Sequence, residues 1–193
     1  MQDLPQEEIF QLLNLISKGD DKAFKKIYIH YQSNLIKFIR YQIYDESYVD
    51  EILHDTFMII FKNPLGFDGS SKFSTWLCGI AMNKCKDWRR KYGREPKTEE
   101  LDEEMINSIP DDNKSLWQAL IDKERDDVFK ECVKALPINH REAISLAYLN
   151  DEKIQSIAKT QACPIGTVKS RLSYARQKIA DCMHKALGSG GLR

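Results

Sequence analysis

Apolar side chains recur every three or four residues along most of the chain, which is the spacing of one face of an α-helix. Such rows run from Phe24 to Ile39, from Val49 to Phe61, from Phe73 to Ala81 and from Leu116 to Leu136. No stretch alternates apolar and polar residues for long enough to predict a strand. The pattern therefore predicts an all-α protein.

Charge and proline divide the helical pattern into two blocks. Residues 95–112 hold eight acidic side chains and a single lysine, and prolines stand at positions 96 and 110. Such a composition is typical of a linker. We predict two small helical domains, residues 1–94 and 115–187, joined by an acidic flexible linker at 95–114, with a flexible tail at 188–193.

Three short helical segments close the second block, and their spacing of three or four residues predicts a helix-turn-helix. The last segment reads "CPIGTVKSRLSYARQKI", residues 163–179, and Pro164 can begin it because the first helical turn needs no proline N–H. One face is apolar, and the other is small, hydrogen-bonding and cationic. That second face suits a DNA major groove, although charge alone would equally describe a solvated helix face.

The segment "NKCKDWRRKYGR", residues 83–94, holds six basic residues and one acidic residue, with Trp88 and Tyr92 between them. Basic groups can follow a phosphate backbone while aromatic rings stack on unpaired bases. Trp88 also continues the core row of its helix, so both interpretations stay open. The preceding loop "FDGSSKF", residues 67–73, could hold a base or merely connect two helices.

An acidic face is predicted on the helix at 49–61, where Asp50, Glu51, His54 and Asp55 gather on the polar side. Such a face is either solvated or docks a basic partner protein, and composition does not choose between them.

Composition narrows the function classes. Lys plus Arg equals Asp plus Glu, 29 each, so net charge gives no support to nucleic-acid binding. The apolar runs are too short to span a bilayer and the N-terminus is acidic, so we expect a cytoplasmic protein without membrane insertion. Five cysteines without a Cys-x-x-Cys pair predict reduced, mostly buried thiols. No catalytic set, phosphate-binding glycine loop or metal-ligand spacing is present, so we predict neither an enzyme nor a metal or cofactor site.

Two motifs carry a family resemblance. "FDGSSKFSTWLCGIAMNKCKDWRRK" resembles the promoter-melting segment of extracytoplasmic-function sigma factors, and "CPIGTVKSRLSYAR" resembles the helix with which they recognise the upstream promoter element. The resemblance implies an alternative sigma factor that binds core RNA polymerase through its clamp helices and flap. It also implies binding to promoter DNA, as duplex and as opened strand, without a cofactor. An anti-sigma factor, which could hold the protein at the membrane, is a further implied partner.

The resemblance assigns roles to individual residues. The minus-thirty-five element would be bound by Lys169, Ser170, Arg171, Ser173, Tyr174 and Arg176. The minus-ten element would be bound by a loop and a basic helix containing Phe67, Gly69, Ser70, Ser71, Lys72, Asn83, Lys84, Lys86, Trp88, Arg89 and Arg90. Core polymerase would dock on Asp50, Glu51, His54 and Asp55, and the acidic linker would follow the RNA exit path.

The chain departs from the family pattern at Gly79, where an arginine is common, and at Gln161 and Ala162, which replace the usual apolar and turn residues. A different angle of the last helix is therefore expected. Two alternatives are a stand-alone helix-turn-helix regulator and a helical adaptor that binds only proteins. The first would leave the loop, the basic-aromatic segment and the acidic helix unexplained, and the second would show no promoter binding even with core polymerase.

Overall fold

The computed structural model describes residues 3–92, 126–149 and 151–187. These residues form helices and no strand, which confirms the predicted all-α class. The predicted linker at 95–114 and the tail at 188–193 lie outside the described residues. The helices are α1 (Gln6–Ser17), α2 (Asp21–Gln42), α3 (Val49–Lys62), α4 (Phe73–Tyr92), α5 (Asp126–Lys134), α6 (Ile138–Leu149), α7 (Ile154–Gln161) and α8 (Ile165–Leu187), with short 3-10 turns at Glu46–Tyr48 and Pro64–Gly66.

The chain divides into two compact units. Unit 1 comprises Met1–Glu95 with Tyr148–Glu152, and unit 2 comprises Pro96–Ala147 with Lys153–Arg193. Unit 1 therefore contains α1 to α4, and unit 2 contains α5, most of α6, α7 and α8.

Helix α2 is the centre of unit 1, where it packs against α1, α3 and α4. Its buried residues Ile27, Tyr31 and Leu35 recur at the helical spacing predicted from the sequence, and each is at most 2% exposed. The helix begins at Asp20, whose carboxylate accepts the N–H groups of Lys22 (2.8 Å) and Ala23 (3.1 Å). Local sequence and burial thus agree on where α2 starts and which face it buries.

The turn between α1 and α2 requires its glycine. The N–H of Gly19 donates to the carbonyl of Ile16 (2.9 Å) and that of Asp20 to the carbonyl of Leu15 (3.1 Å), the paired bonds of a Schellman cap. Gly19 has φ +85°, which a side chain would oppose. The same two residues therefore end one helix and begin the next.

Unit 2 contains the predicted helix-turn-helix. Helix α7 packs on α8, and α7 ends at Ala162, a left-handed residue with φ +51°. Pro164 stands directly before α8, and its carbonyl accepts the N–H of Val168 at 3.2 Å. The missing proline N–H is not needed at that position, as the sequence indicated.

A disulfide joins the first and last helices of unit 2. Cys132 on α5 and Cys182 on α8 are bonded, with their Cα atoms 5.8 Å apart. The expectation of reduced thiols is therefore wrong for this pair, because folding brings together two cysteines separated by 50 positions. Cys78, Cys85 and Cys163 are not disulfide-bonded, and the first two are buried.

The turn before α8 carries a strain that glycine would relieve. We expect Ala162→Gly to raise the free energy of unfolding of unit 2 by about 1 kcal/mol, because the Cβ opposes the left-handed conformation. Ala180→Gly is the matched control: Ala180 is exposed inside α8, so glycine there should lower stability by about 1 kcal/mol. Urea unfolding of both variants gives the comparison, and a loss of stability in Ala162→Gly would contradict the account of the turn.

Candidate functional site

Helix α8 presents one exposed stripe, which we call the recognition face. Ile165, the first residue of α8, is 45% exposed, and a Cβ added at the next residue, Gly166, would meet nothing within 4 Å. The stripe is small at its beginning and cationic along its length, so a DNA backbone could approach closely. The recognition face consists of the exposed residues Gly166, Lys169 and Gln177 and the half-buried residues Ser173 and Arg176.

The opposite stripe of α8 lies in the core of unit 2. Val168, Leu172, Ala175 and Ile179 are each at most 3% exposed, as the apolar spacing predicted. At 100° per residue, these positions and the recognition face lie on different sides of the helix. The orientation of the face is therefore set by core burial.

Two predicted DNA contacts lie off the recognition face. Ser170 and Arg171 are each 8% exposed, and the hydroxyl of Ser170 donates to the carbonyl of Thr167 at 2.9 Å. The Arg171 guanidinium donates through Nη1 to Gln161 Oε1 (3.2 Å) and contacts Cys163 Sγ (3.5 Å). Through these contacts both side chains stabilise the turn and the start of α8.

Gln161 connects the recognition helix to α6. Its Nε2 donates to the carbonyl of Asn139 at 2.8 Å while its Oε1 accepts from Arg171. The apolar residue that the family pattern places there could make neither bond. The sequence marked Gln161 as a departure but gave no sign of its two partners, which come from α6 and α8.

Tyr174 lies at the edge of the recognition face. Its ring packs against the ring of His140, with centroids 4.8 Å apart, and the Lys178 ammonium lies 5.5 Å from the Tyr174 centroid. Burial raises the pKa of the Tyr174 phenol, so the hydroxyl stays protonated at neutral pH and can donate a hydrogen bond. Sequence reasoning missed His140, which no motif marks.

The loop predicted to hold a base is anchored by aromatic packing. Phe67 is 4% exposed, and its ring centroid lies 5.7 Å from that of Phe10, 5.1 Å from Phe73 and 5.4 Å from Trp76. Phe67 therefore fixes the base of the loop in the core of unit 1. Its ring lies inside the fold, in contact with other aromatic rings.

The tip of this loop has a defined backbone. Gly69 has φ +77°, and its carbonyl accepts from Gln6 Nε2 at 3.0 Å. The Asp68 carboxylate accepts the N–H of Ser70 at 2.9 Å, a local turn that orders the next residues. Ser70 and Lys72 are exposed and Ser71 is half-buried, so the tip offers hydroxyls and a cation from a held backbone.

The basic segment of α4 divides into an exposed side and a packed side. Asn83 and Arg90 are exposed, and Arg90 pairs with Asp87 on the same helix. Lys84 and Lys86 are half-buried. Arg89 donates through Nη1 to the carbonyl of Gln42 at 3.1 Å and so caps the end of α2. Arg89 thereby contributes to the packing of α4 against α2.

Trp88 belongs to the core of unit 1. It is 6% exposed, and its ring packs against Tyr48 (centroids 5.5 Å apart) and Tyr92 (5.7 Å). The sequence left open whether Trp88 packs in the core or stacks on unpaired bases, and in the structure it packs in the core. The ring cannot stack on a base without leaving this cluster.

The acidic face of α3 is open to solvent. Asp50, Glu51, His54 and Asp55 are all exposed, while the other side of the helix is buried. Asp55 Oδ2 lies 3.2 Å from Lys84 Nζ, in a pair whose side chains are 49% and 30% exposed. Such a solvated pair contributes little to stability, so the face is available to a partner that offers positive charge.

Within the described ranges, no group of three or more His, Cys, Asp or Glu residues could hold a metal ion. No helix among the same residues is long and apolar enough to cross a membrane.

Two family models match the chain. The model of sigma-70 region 2 matches residues 27–95, and that of sigma-70 region 4 matches residues 126–179. Together they span well over half of the chain. The chain belongs to the extracytoplasmic-function sigma factors. It is an alternative sigma factor that directs promoter-specific transcription, and its partners are core RNA polymerase and promoter DNA.

Curated relatives cover nearly the full length of this sigma factor. The RNA polymerase sigma-H factor of Pseudomonas aeruginosa is 27% identical over 189 residues, which cover 95% of this chain and 98% of the relative. The ECF RNA polymerase sigma-E factor of Escherichia coli (strain K12) is 29% identical over 174 residues, covering 87% and 90%.

Solved structures share the fold. The sigma factor RpoE of Bartonella quintana, solved with the anti-sigma factor NepR, matches with a TM-score of 0.63 at 25% identity, covering 84% of this chain and 97% of RpoE. CnrH, solved with the cytosolic domain of CnrY, matches in fold with a TM-score of 0.62 at 20% identity, covering 92% and 98%.

Proposed function

We propose that the two promoter contacts of this sigma factor are divided between its two domains. Residues 1–94 form a region 2-like domain that docks core polymerase and opens the minus-ten element. Residues 115–187 form a region 4-like domain that binds the minus-thirty-five duplex, and the acidic linker at 95–114 follows the RNA exit path. The observation that carries this proposal is the recognition face, a small cationic stripe on a helix whose other side is fully buried.

In the region 4-like domain, Lys169 and Ser173 would contact base edges and Arg176 would contact phosphate. The support is that all three lie on the recognition face. Tyr174, at the edge of the face, can donate its hydroxyl to the same groove. Ser170 and Arg171 belong to the same interface as positioning residues, since their polar atoms already hold the turn.

Lys169 is the most direct test of the recognition face. We expect Lys169→Ala to weaken promoter recognition by roughly 1 to 3 kcal/mol if its ammonium reaches a base edge, or to reduce the salt slope by about 1 if it reaches phosphate. Lys185→Ala, at an exposed position on the same helix beyond the recognition face, is the matched control. Salt titrations of holoenzyme binding to promoter DNA distinguish the two contacts. No change in affinity or slope would remove Lys169 from the interface.

In the region 2-like domain, the exposed loop tip and Asn83 would hold a flipped base of the minus-ten element. The support is the held backbone around Gly69, with Ser70, Ser71 and Lys72 at its tip. Phe67 and Trp88 would act from within the core, by fixing the loop and α4. Lys84, Lys86, Arg89 and Arg90 would add positive charge along the opened strand.

Strand opening tests this pocket separately from promoter binding. We expect Asn83→Ala and Ser71→Ala to reduce permanganate reactivity of unpaired thymines more than they reduce closed-complex formation, because a base pocket acts only after opening. Asn14→Ala, an exposed asparagine on α1, is the control. Equal losses in opening and in closed-complex binding would count against the pocket.

The acidic face of α3 would dock the clamp helices of core polymerase through Asp50, Glu51, His54 and Asp55. Its support is that all four side chains are exposed and that three of them are carboxylates. The flap would be a second contact, made by the region 4-like domain.

Charge reversal tests the docking face. We expect Glu51→Lys with Asp55→Lys to weaken binding to core polymerase severalfold or more, because two attractive charges become repulsive and Lys84 loses its partner. Reversal of Glu7 and Asp21, which are exposed on other helices of unit 1, is the control. Unchanged affinity in a pull-down with core enzyme would assign docking to another face.

An anti-sigma factor would be a further partner. The support is that RpoE of Bartonella quintana, which this chain resembles, was solved in complex with the anti-sigma factor NepR. An anti-sigma factor anchored in the membrane would hold the protein there until release. On this proposal the chain acts in the cytoplasm beside the nucleoid, as an initiation factor with no catalytic chemistry, metal or cofactor of its own.

A further inference from the structure

The disulfide of unit 2 joins two cysteines with different access to solvent. Cys132 is 2% exposed, whereas Cys182 is half-buried and lines an open groove. The other residues that line the groove are Lys178, Asp181, Lys185 and Ala186. Cys182 is therefore the residue of the pair that reagents in solution can approach more closely.

The bond fastens α5 to the last helix of the described residues. Helix α5 packs directly against α8. Phe129 and Val133 of α5 and Met183 of α8 are buried in unit 2. A bond across 50 positions adds to this packing by restricting the unfolded chain. The disulfide thus locks α5 against the helix that carries the recognition face.

A permanent disulfide is unexpected in the compartment where a sigma factor works. Bacterial RNA polymerase works in the cytoplasm, where thiol pools keep cysteines reduced and disulfides are usually transient or redox-sensing. If the proposed function holds, this bond is made and broken where the protein works. A cysteine pair that forms in the fold and has one partly exposed residue meets the requirement for such a cycle.

We propose that Cys132 and Cys182 are a thiol–disulfide switch, closed by a hydroperoxide and opened by a dithiol, whose closed form stabilises unit 2 and strengthens minus-thirty-five recognition. The inference rests on the proposed function of unit 2. The switch would let this chain respond directly to oxidant and reductant, without a second protein.

Closure transfers two electrons to the peroxide. The Cys182 thiolate attacks one peroxide oxygen, which breaks the O–O bond and gives a sulfenic acid and hydroxide, which is protonated to water. The Cys132 thiolate then attacks the Cys182 sulfur, and the sulfenic oxygen leaves as a second hydroxide, which is protonated to water. Two thiols and one hydrogen peroxide become one disulfide and two waters.

Opening reverses the electron flow with a dithiol as reductant. Its first thiolate attacks the accessible Cys182 sulfur, and Cys132 leaves as a thiolate and takes a proton. The second thiol of the reductant, as its thiolate, then attacks the reductant sulfur of the mixed disulfide and releases Cys182. Lys178 and Lys185, four positions before and three after Cys182, attract the incoming thiolate, and Asp181 partly offsets them.

The full-length protein with core polymerase tests the switch. The purified chain is treated with hydrogen peroxide or dithiothreitol, freed of reagent, and titrated for thiols under denaturing conditions. Since two of its five cysteines are paired, we expect three reactive thiols after peroxide and five after dithiothreitol. The melting temperature of unit 2 should be higher in the oxidised form by about 10 °C or more. Run-off transcript yield from genomic fragments should be severalfold higher as well.

Cys132→Ser with Cys182→Ser should abolish all three redox responses. Cys163→Ser, which changes a cysteine outside the disulfide, should leave the difference between oxidised and reduced protein intact. If the double variant does not fold, the comparison of oxidised and reduced wild-type protein decides the question by itself. Five reactive thiols after peroxide, or one melting temperature in both states, would overturn the switch and leave the sigma activity standing. A redox-dependent melting temperature with no transcript in either state would overturn the proposed function and, with it, the regulatory step.

Discussion

Helix α8 has to bury one face and expose the other, and unit 2 is built around that constraint. Val168, Leu172, Ala175 and Ile179 recur at helical spacing and are almost fully buried. At roughly 1.5 to 3 kcal/mol for each large buried apolar side chain, this core stripe outweighs the surface contacts of the helix. Hydrophobic burial therefore determines the rotation of α8, and the rotation determines which side chains can meet DNA. The disulfide and Gln161 act on a helix that the core has already oriented.

Unit 1 holds an exposed loop in place with aromatic rings. Its loop must keep polar groups exposed while the backbone stays in place, and Phe67 provides this by entering a cluster with Phe10, Phe73 and Trp76. The hydrogen bond from Gln6 holds the other side of the loop. In both units, a buried anchor fixes an exposed polar surface. That surface would therefore lose little conformational freedom on binding nucleic acid.

The sequence predicted what local periodicity and motif spacing control. The helical class, the division into two blocks and the core face of α8 all follow from the order of residues. It could not predict pairings between distant positions. Cys132 with Cys182 and Gln161 with Asn139 depend on how helices pack, and spacing carries no signal of either. For Ser170, Arg171 and Trp88, residue type suggested a DNA contact, whereas burial decides where each side chain lies.

Run-off transcription with purified core RNA polymerase on genomic fragments is the sharpest test of sigma-factor function, because only a sigma factor confers initiation on that enzyme. We expect discrete transcripts that require this chain, with start sites downstream of a shared pair of promoter elements. Tight binding of the chain to duplex DNA without polymerase, together with no transcript when core enzyme is added, would contradict it.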